Sequence, residues 1–132
     1  MQMQNSQWEF GERRQSERQR LRLRLAVVYP EKEGRQVRPT YHALTHDISM
    51  SGLSLIVEDD IFYEGEVTLV LALPPVQDWA GQESMTATAR MTYAIRSSKL
   101  NGFKVGLSFV EFKENAAELL RAALEREAAK KP

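Results

Sequence analysis

Leu21, Leu23, Leu25 and Val27 alternate with Arg20, Arg22 and Arg24. A period of two places the apolar side chains on one face and the arginines on the other. That is the pattern of a half-buried strand and not of a helix. The alternation recurs over Glu83–Arg96, where Met85, Ala87, Ala89, Met91, Tyr93 and Ile95 share a face. Tyr41–Asp47, Leu53–Val57, Glu66–Leu73 and Phe103–Val110 are further strand candidates, and the last pairs with Glu83–Arg96 as a hairpin. Turn compositions separate them: Pro30 to Pro39 around Gly34, Ile48 to Gly52, Pro74-Pro75, and Lys99 to Gly102. Six short strands joined by short turns predict a small antiparallel barrel or sandwich rather than an α/β fold.

From Glu114 the period becomes helical, with Ala116, Ala117, Leu119, Leu120, Ala123 and Leu124 on one broad stripe. Such a stripe has to cover something, most simply an opening or flank of the barrel, with a partner surface as the alternative. Residues 1–12 are Gln-rich and aperiodic and read as a flexible tail. The expected organisation is a tail over 1–12, a barrel with its arginine-rich lead over 13–113, and a helix over 114–132. A length of 132 residues suits one domain. The absence of cysteine excludes disulfides, thiolate metal sites and cysteine nucleophiles. No apolar run approaches the roughly 20 residues of a membrane helix, and MQMQNSQWEF has no basic-then-apolar signal pattern. The expected location is the cytoplasm, without membrane insertion.

Eighteen Lys and Arg balance eighteen Asp and Glu, but not locally. Arg13, Arg14, Arg18, Arg20, Arg22 and Arg24 face a single acid, Glu17, within twelve residues, a local charge of +5 that leaves −5 for the remainder. All six cations are arginine, whose planar fork pairs with phosphate or a guanine edge in two-toothed fashion and stacks on a base. Arg20, Arg22 and Arg24 are the outer face of the first strand. Arg13, Arg14 and Arg18 precede it, where core packing does not dictate their direction. The bland alternative is a solvated basic face.

The chain has no G-x-S-x-G, P-loop, G-x-G-x-x-G or H-E-x-x-H pattern, so no enzyme is expected. His42 and His46, the only histidines, lack a third ligand at a sensible spacing, and no metal or other cofactor is expected. On a regular strand His46 points away from Asp47 and Ser49, which argues against a nucleophilic triad. Asp47-x-Ser49-x-x-Gly52 lies where a strand turns back. Asp47 and Ser49 can share a face, and Gly52 can admit a close backbone approach or a positive φ. A turn capped by Asp and Ser hydrogen bonds explains the same residues without a ligand.

Taken with Arg14-x-x-x-Arg18, this motif makes the sequence resemble the PilZ domain family, whose hallmark is R-x-x-x-R followed by [D/N]-x-S-x-x-G. The resemblance runs from about residue 12 to 112. It includes ERRQSERQRLRLRL, DISMSGLSL and the late hairpin with Gly106 in its final strand. It implies a six-stranded antiparallel barrel followed by the C-terminal helix, and binding of cyclic di-GMP. The implied ligand residues are Arg13, Arg14, Arg18, Asp47, Ser49 and Gly52. Arg13 stands where the family associates arginine with a stacked pair of ligand molecules. Arg18/Arg22 and Arg20/Arg24 also fit R-x-x-x-R, but only Arg14/Arg18 lies outside the leucine alternation. The implied protein is a receptor whose arginine-rich lead is ordered by the nucleotide and which signals to a protein effector. Two readings without that ligand stand beside it. One is an interaction module using the arginines for an acidic partner. The other, a small nucleic-acid-binding barrel, is weakened by the absence of aromatics among the arginines of residues 18–25, so no DNA or RNA partner is expected.

Overall fold

The computed structural model describes residues 17–74 and 83–130. Its eight strands are β1 (Arg24–Val28), β2 (Glu31–Lys32), β3 (Arg35–Gln36), β4 (Tyr41–Ile48), β5 (Gly52–Val57), β6 (Glu66–Leu73), β7 (Glu83–Ser97) and β8 (Gly102–Phe112), followed by the helix α1 (Ala116–Ala129). Six of them close an antiparallel barrel in the order β1-β4-β5-β8-β7-β6, with β6 pairing back onto β1. The expected six-stranded barrel with a C-terminal helix is the observed fold. The tail assigned to residues 1–12 lies outside the described residues, as do Arg13 and Arg14.

The alternation in the sequence sets which residues fill the interior. Leu25, Val27, Leu53, Leu55, Leu69, Leu71, Met85 and Val105 are all buried and point inward from their strands. Ala87 and Ala89 supply the small side chains that a barrel this narrow needs beside larger neighbours. Truncating one of the central leucines to alanine costs about 2–5 kcal/mol in such a core. Leu23 is buried and Leu21 half-buried as the alternation requires, yet β1 begins only at Arg24. The segment before it is held differently: the Leu23 amide donates to Thr45 Oγ1 at 2.8 Å, and the Thr45 amide donates to the Leu23 carbonyl at 2.9 Å.

The stretch from Pro30 to Pro39, read as a plain turn, contains the two-stranded hairpin β2–β3. Glu33 and Gly34 both have positive φ at its tip, the backbone that a two-residue hairpin loop demands. The helix starts at Ala116, two residues later than its period suggests, because Glu114 takes a positive φ and ends the turn after β8.

Ala116, Leu120, Ala123 and Leu124 are the buried face of α1, which lies against β6 and β7. Arg126 donates to the Pro74 carbonyl at 3.3 Å, just past the end of β6. In an antiparallel barrel that end also carries the start of β7, the start of β5 and the turn after β4. The helix therefore covers one opening of the barrel, the one nearest the Ser49–Gly52 turn. No helix among the described residues is long and apolar enough to cross a membrane.

Candidate functional site

β4 departs from regular pairing immediately before the motif. Thr45 stands opposite Leu55 and Asp47 opposite Ser54, so His46 is an extra residue, a β-bulge. Thr45 and Ile48 are both buried, whereas His46 and Asp47, adjacent in sequence, are both partly exposed. The bulge thus breaks the alternation that would otherwise send His46 and Asp47 to opposite faces. It turns Asp47 outward at the end of the strand.

Arg18 meets Asp47 there. Its Nη1 donates to Asp47 Oδ1 at 2.8 Å, with the arginine side chain 47% exposed and the carboxylate 15%. The approach is fixed by the next residue: the Gln19 amide donates to the Ile48 carbonyl at 2.9 Å and the Ile48 amide to the Gln19 carbonyl at 3.0 Å. One antiparallel bridge sets the lead segment beside β4, and the ion pair sits next to it. The arginine motif and the aspartate motif, distant in sequence, meet at this point.

Ser49 and Gly52 have a different place. Ser49 is fully buried. Its amide donates to the Gly52 carbonyl at 2.8 Å, its Oγ lies 2.9 Å from Ser51 Oγ, and the Ser51 amide donates to Ser49 Oγ at 3.1 Å. The Gly52 φ is not positive. Its missing side chain answers to the neighbouring strand, since a Cβ would come within 2.1 Å of the Leu107 carbonyl oxygen of β8. Asp47 faces the surface, while Ser49 and Gly52 shape the turn that holds it there.

Pairing continues from Asp47 across the sheet: Asp47 opposes Ser54, Ser54 opposes Gly106, and Gly106 opposes Tyr93. At about 4.8 Å per strand these four outward positions span roughly 14 Å. A second bulge, at Thr92, puts Thr92 and Tyr93 both on the outside. The Tyr93 ring then lies over Gly106, where a Cβ would come within 2.2 Å of it. Ser54 is 2% exposed, and its hydroxyl has no partner among the described residues. Two small residues on the outer face, Ser54 buried and Gly106 under the Tyr93 ring, form the floor between the carboxylate and the aromatic ring. Neither Tyr93 nor Ser54 stands out in the sequence, because the bulge that exposes Tyr93 has no composition signal. Gly106 had one, a glycine in mid-strand.

A groove of about 640 Å³ adjoins this floor on the outer wall of β4 and β5. Arg20, Arg22, His42 and His46 line one part of it, and Glu58 and Asp59 another. The Tyr41 hydroxyl donates to Asp59 at 3.1 Å. Burial, and then that carboxylate, raise the Tyr41 phenol above its ordinary range. Among the described residues no three His, Asp or Glu side chains gather as metal ligands.

The six-stranded barrel is the fold that the resemblance implied, and the pairing of Arg18 with Asp47 is an addition from the structure. The PilZ domain model matches residues 12–126. The chain belongs to the PilZ domain family. Cyclic di-GMP binding is that family's role, and PilZ proteins are generally binding or adaptor modules rather than enzymes. A solved structure, the Bacillus subtilis inhibitor of motility MotI/DgrA, is similar at a TM-score of 0.67 and 19% identity, over 90% of this chain and 53% of that one. This PilZ chain therefore spans about half of that protein's length, and at such identity the likeness is one of fold. None of the curated proteins matches the sequence.

Proposed function

We propose that this PilZ protein is a bacterial cytoplasmic receptor for cyclic di-GMP that passes the signal to a protein partner. The observation that carries the reading is the 2.8 Å contact between Arg18 and Asp47. It brings a guanidinium and a carboxylate together at the rim of this floor. Cyclic di-GMP carries two phosphates and two guanines. A guanidinium can grip a phosphate or the O6/N7 edge of guanine, and a carboxylate accepts from the guanine N–H edge.

In this reading Arg14 and Arg18 clasp the ligand and Asp47 takes a guanine edge. Ser49 and Gly52 act as the frame that presents Asp47. Arg13 brings in a second ligand molecule, stacked on the first. The ligand competes for both members of the Arg18–Asp47 pair, and the lead segment becomes ordered around it, a disorder-to-order switch. MotI/DgrA, an inhibitor of motility, fits a family that acts through other proteins. Isothermal titration calorimetry tests the reading. Saturable heat with cyclic di-GMP at tens of micromolar or below is expected, with none for GTP at the same concentration. No heat with cyclic di-GMP would leave the ligand-independent interaction module.

A further inference from the structure

Gln19 follows Arg18 and makes two kinds of tie. Its main chain forms both bonds of the bridge to Ile48, beside Asp47. Its side chain reaches the other way. Nε2 donates to the Leu124 carbonyl of α1 at 3.0 Å, across 105 positions of sequence. Oε1 is buried and has no partner among the described residues. A buried acceptor without a partner is unfavourable, and an aliphatic side chain of similar length would fill the same place without that penalty. Packing alone therefore does not explain glutamine here. What the amide provides is one directed bond between the lead segment and the helix.

That bond crosses a loose seam. Glu17, Gln19 and Met50 on one side and Arg121, Leu124, Glu125 and Ala128 on the other line a cleft of about 220 Å³. Where side chains do not fill a joint, few contacts transmit a displacement, and a directed hydrogen bond does so by default. The same half of α1 has a second tie, from Arg126 to the Pro74 carbonyl.

We propose that Gln19 is a positioning residue that couples nucleotide capture at Arg18 and Asp47 to the seating of the C-terminal half of α1. The inference rests on the cyclic di-GMP reading. When the ligand draws Arg18 away from Asp47, Gln19 moves with its neighbour. The half-satisfied amide then leaves its buried place, and the Leu124 carbonyl is released. The helix end, from Leu124 to Lys130, loosens over the seam and becomes the part of the surface that reports ligand. By linkage, whatever holds that half of α1 down weakens nucleotide binding by the same factor.

Hydrogen exchange on the full chain, with and without cyclic di-GMP, tests this alongside calorimetry on the same samples. Faster amide exchange across 124–130 is expected when ligand is bound. Gln19→Leu keeps the main-chain bridge but cannot donate to Leu124, so its helix exchange should not respond to ligand. Its affinity should rise about five-fold, at the lower end of ordinary coupling. Calorimetric heat with wild-type exchange unchanged or slowed by ligand overturns the coupling while leaving the receptor reading intact. No heat with wild type removes both. A Gln19→Leu protein whose helix still responds as wild type assigns Gln19 a merely structural role. Gln19→Ala, read in the same way, guards against a leucine that fails to fit.

Discussion

Arg18 and Asp47 come from opposite sides of the first barrel strand, 29 residues apart, and meet at 2.8 Å beside the Gln19–Ile48 bridge. An ion pair with an arginine half exposed contributes at most about 1 kcal/mol to stability. Its charges are available to a ligand at little cost to the fold. Arg18→Ala and Asp47→Ala are each expected to weaken cyclic di-GMP binding by at least thirty-fold, or about 2 kcal/mol, in line with lost charge-assisted hydrogen bonds. Their melting temperatures should stay within a few degrees of wild type. Calorimetry and thermal melts check both, and an Arg18→Ala protein with unchanged affinity would mean that another arginine pair is the binding one.

Arg13 sets stoichiometry in the proposed complex. Titration of wild type is expected to give two nucleotides per chain, and Arg13→Ala one. A fitted value of one for wild type contradicts the role given to Arg13.

Gly52 and Gly106 differ in what surrounds them. A Cβ at Gly52 meets a main-chain oxygen at 2.1 Å, and a barrel strand cannot move aside cheaply. At Gly106 the obstacle is the Tyr93 ring, a side chain with other rotamers open to it. Gly52→Ala should cost several kcal/mol, about 3 or more, and Gly106→Ala less than half as much. Urea denaturation of the two variants gives the comparison. A Gly52→Ala protein as stable as wild type would refute the packing argument.

Tyr93 offers an aromatic face at the edge of the floor and is 37% exposed. Tyr93→Ala is expected to weaken nucleotide binding by five- to fifty-fold, since base–aromatic stacking contributes about 1–3 kcal/mol per base. Tyr93→Phe should bind as wild type. Guanine proton shifts in NMR spectra of the complex provide an independent check, because ring-current shifts present in wild type should vanish in Tyr93→Ala.

Tyr29 is buried, and its hydroxyl donates to the Ile61 carbonyl at 2.6 Å. Burial raises this phenol above its ordinary value, with Arg38 acting in the opposite sense. The folded state therefore keeps the proton longer than the unfolded chain does. Its contribution to stability is complete below the unfolded value of about 10 and is lost as pH rises through the folded one. Tyr29→Phe should lower stability at pH 8 by about 1 kcal/mol through the lost hydrogen bond, yet lose less than wild type between pH 9.5 and 11. Urea melts across that range measure both effects.

Much of this architecture was legible from Leu21 to Val110 because burial in a sheet imposes a period of two, and Leu25, Met85 and Leu107 obey it wherever pairing is regular. Two of the barrel's bulges defeat that rule. His46 and Thr92 each add one residue to a ladder, which a sequence pattern does not mark, so the outward turn of Asp47 and Tyr93 was hidden. Asp47-x-Ser49-x-x-Gly52 was legible as a unit but not as a division of labour. The carboxylate faces the surface, the serine closes the turn and the glycine clears β8. Gln19 carried no signal at all, since its partner is a main-chain carbonyl.

By itself the sequence determined the barrel, the helix that covers it, and the family, because periodicity and spaced motifs are local properties of a chain. Tertiary structure alone decided which arginine meets Asp47, which small residues make the floor, and where the lead segment touches the helix. The two contacts of the lead segment join positions 29 and 105 residues apart. They exist only once strand register and bulges have been fixed by packing the whole barrel, and no local pattern encodes that registration.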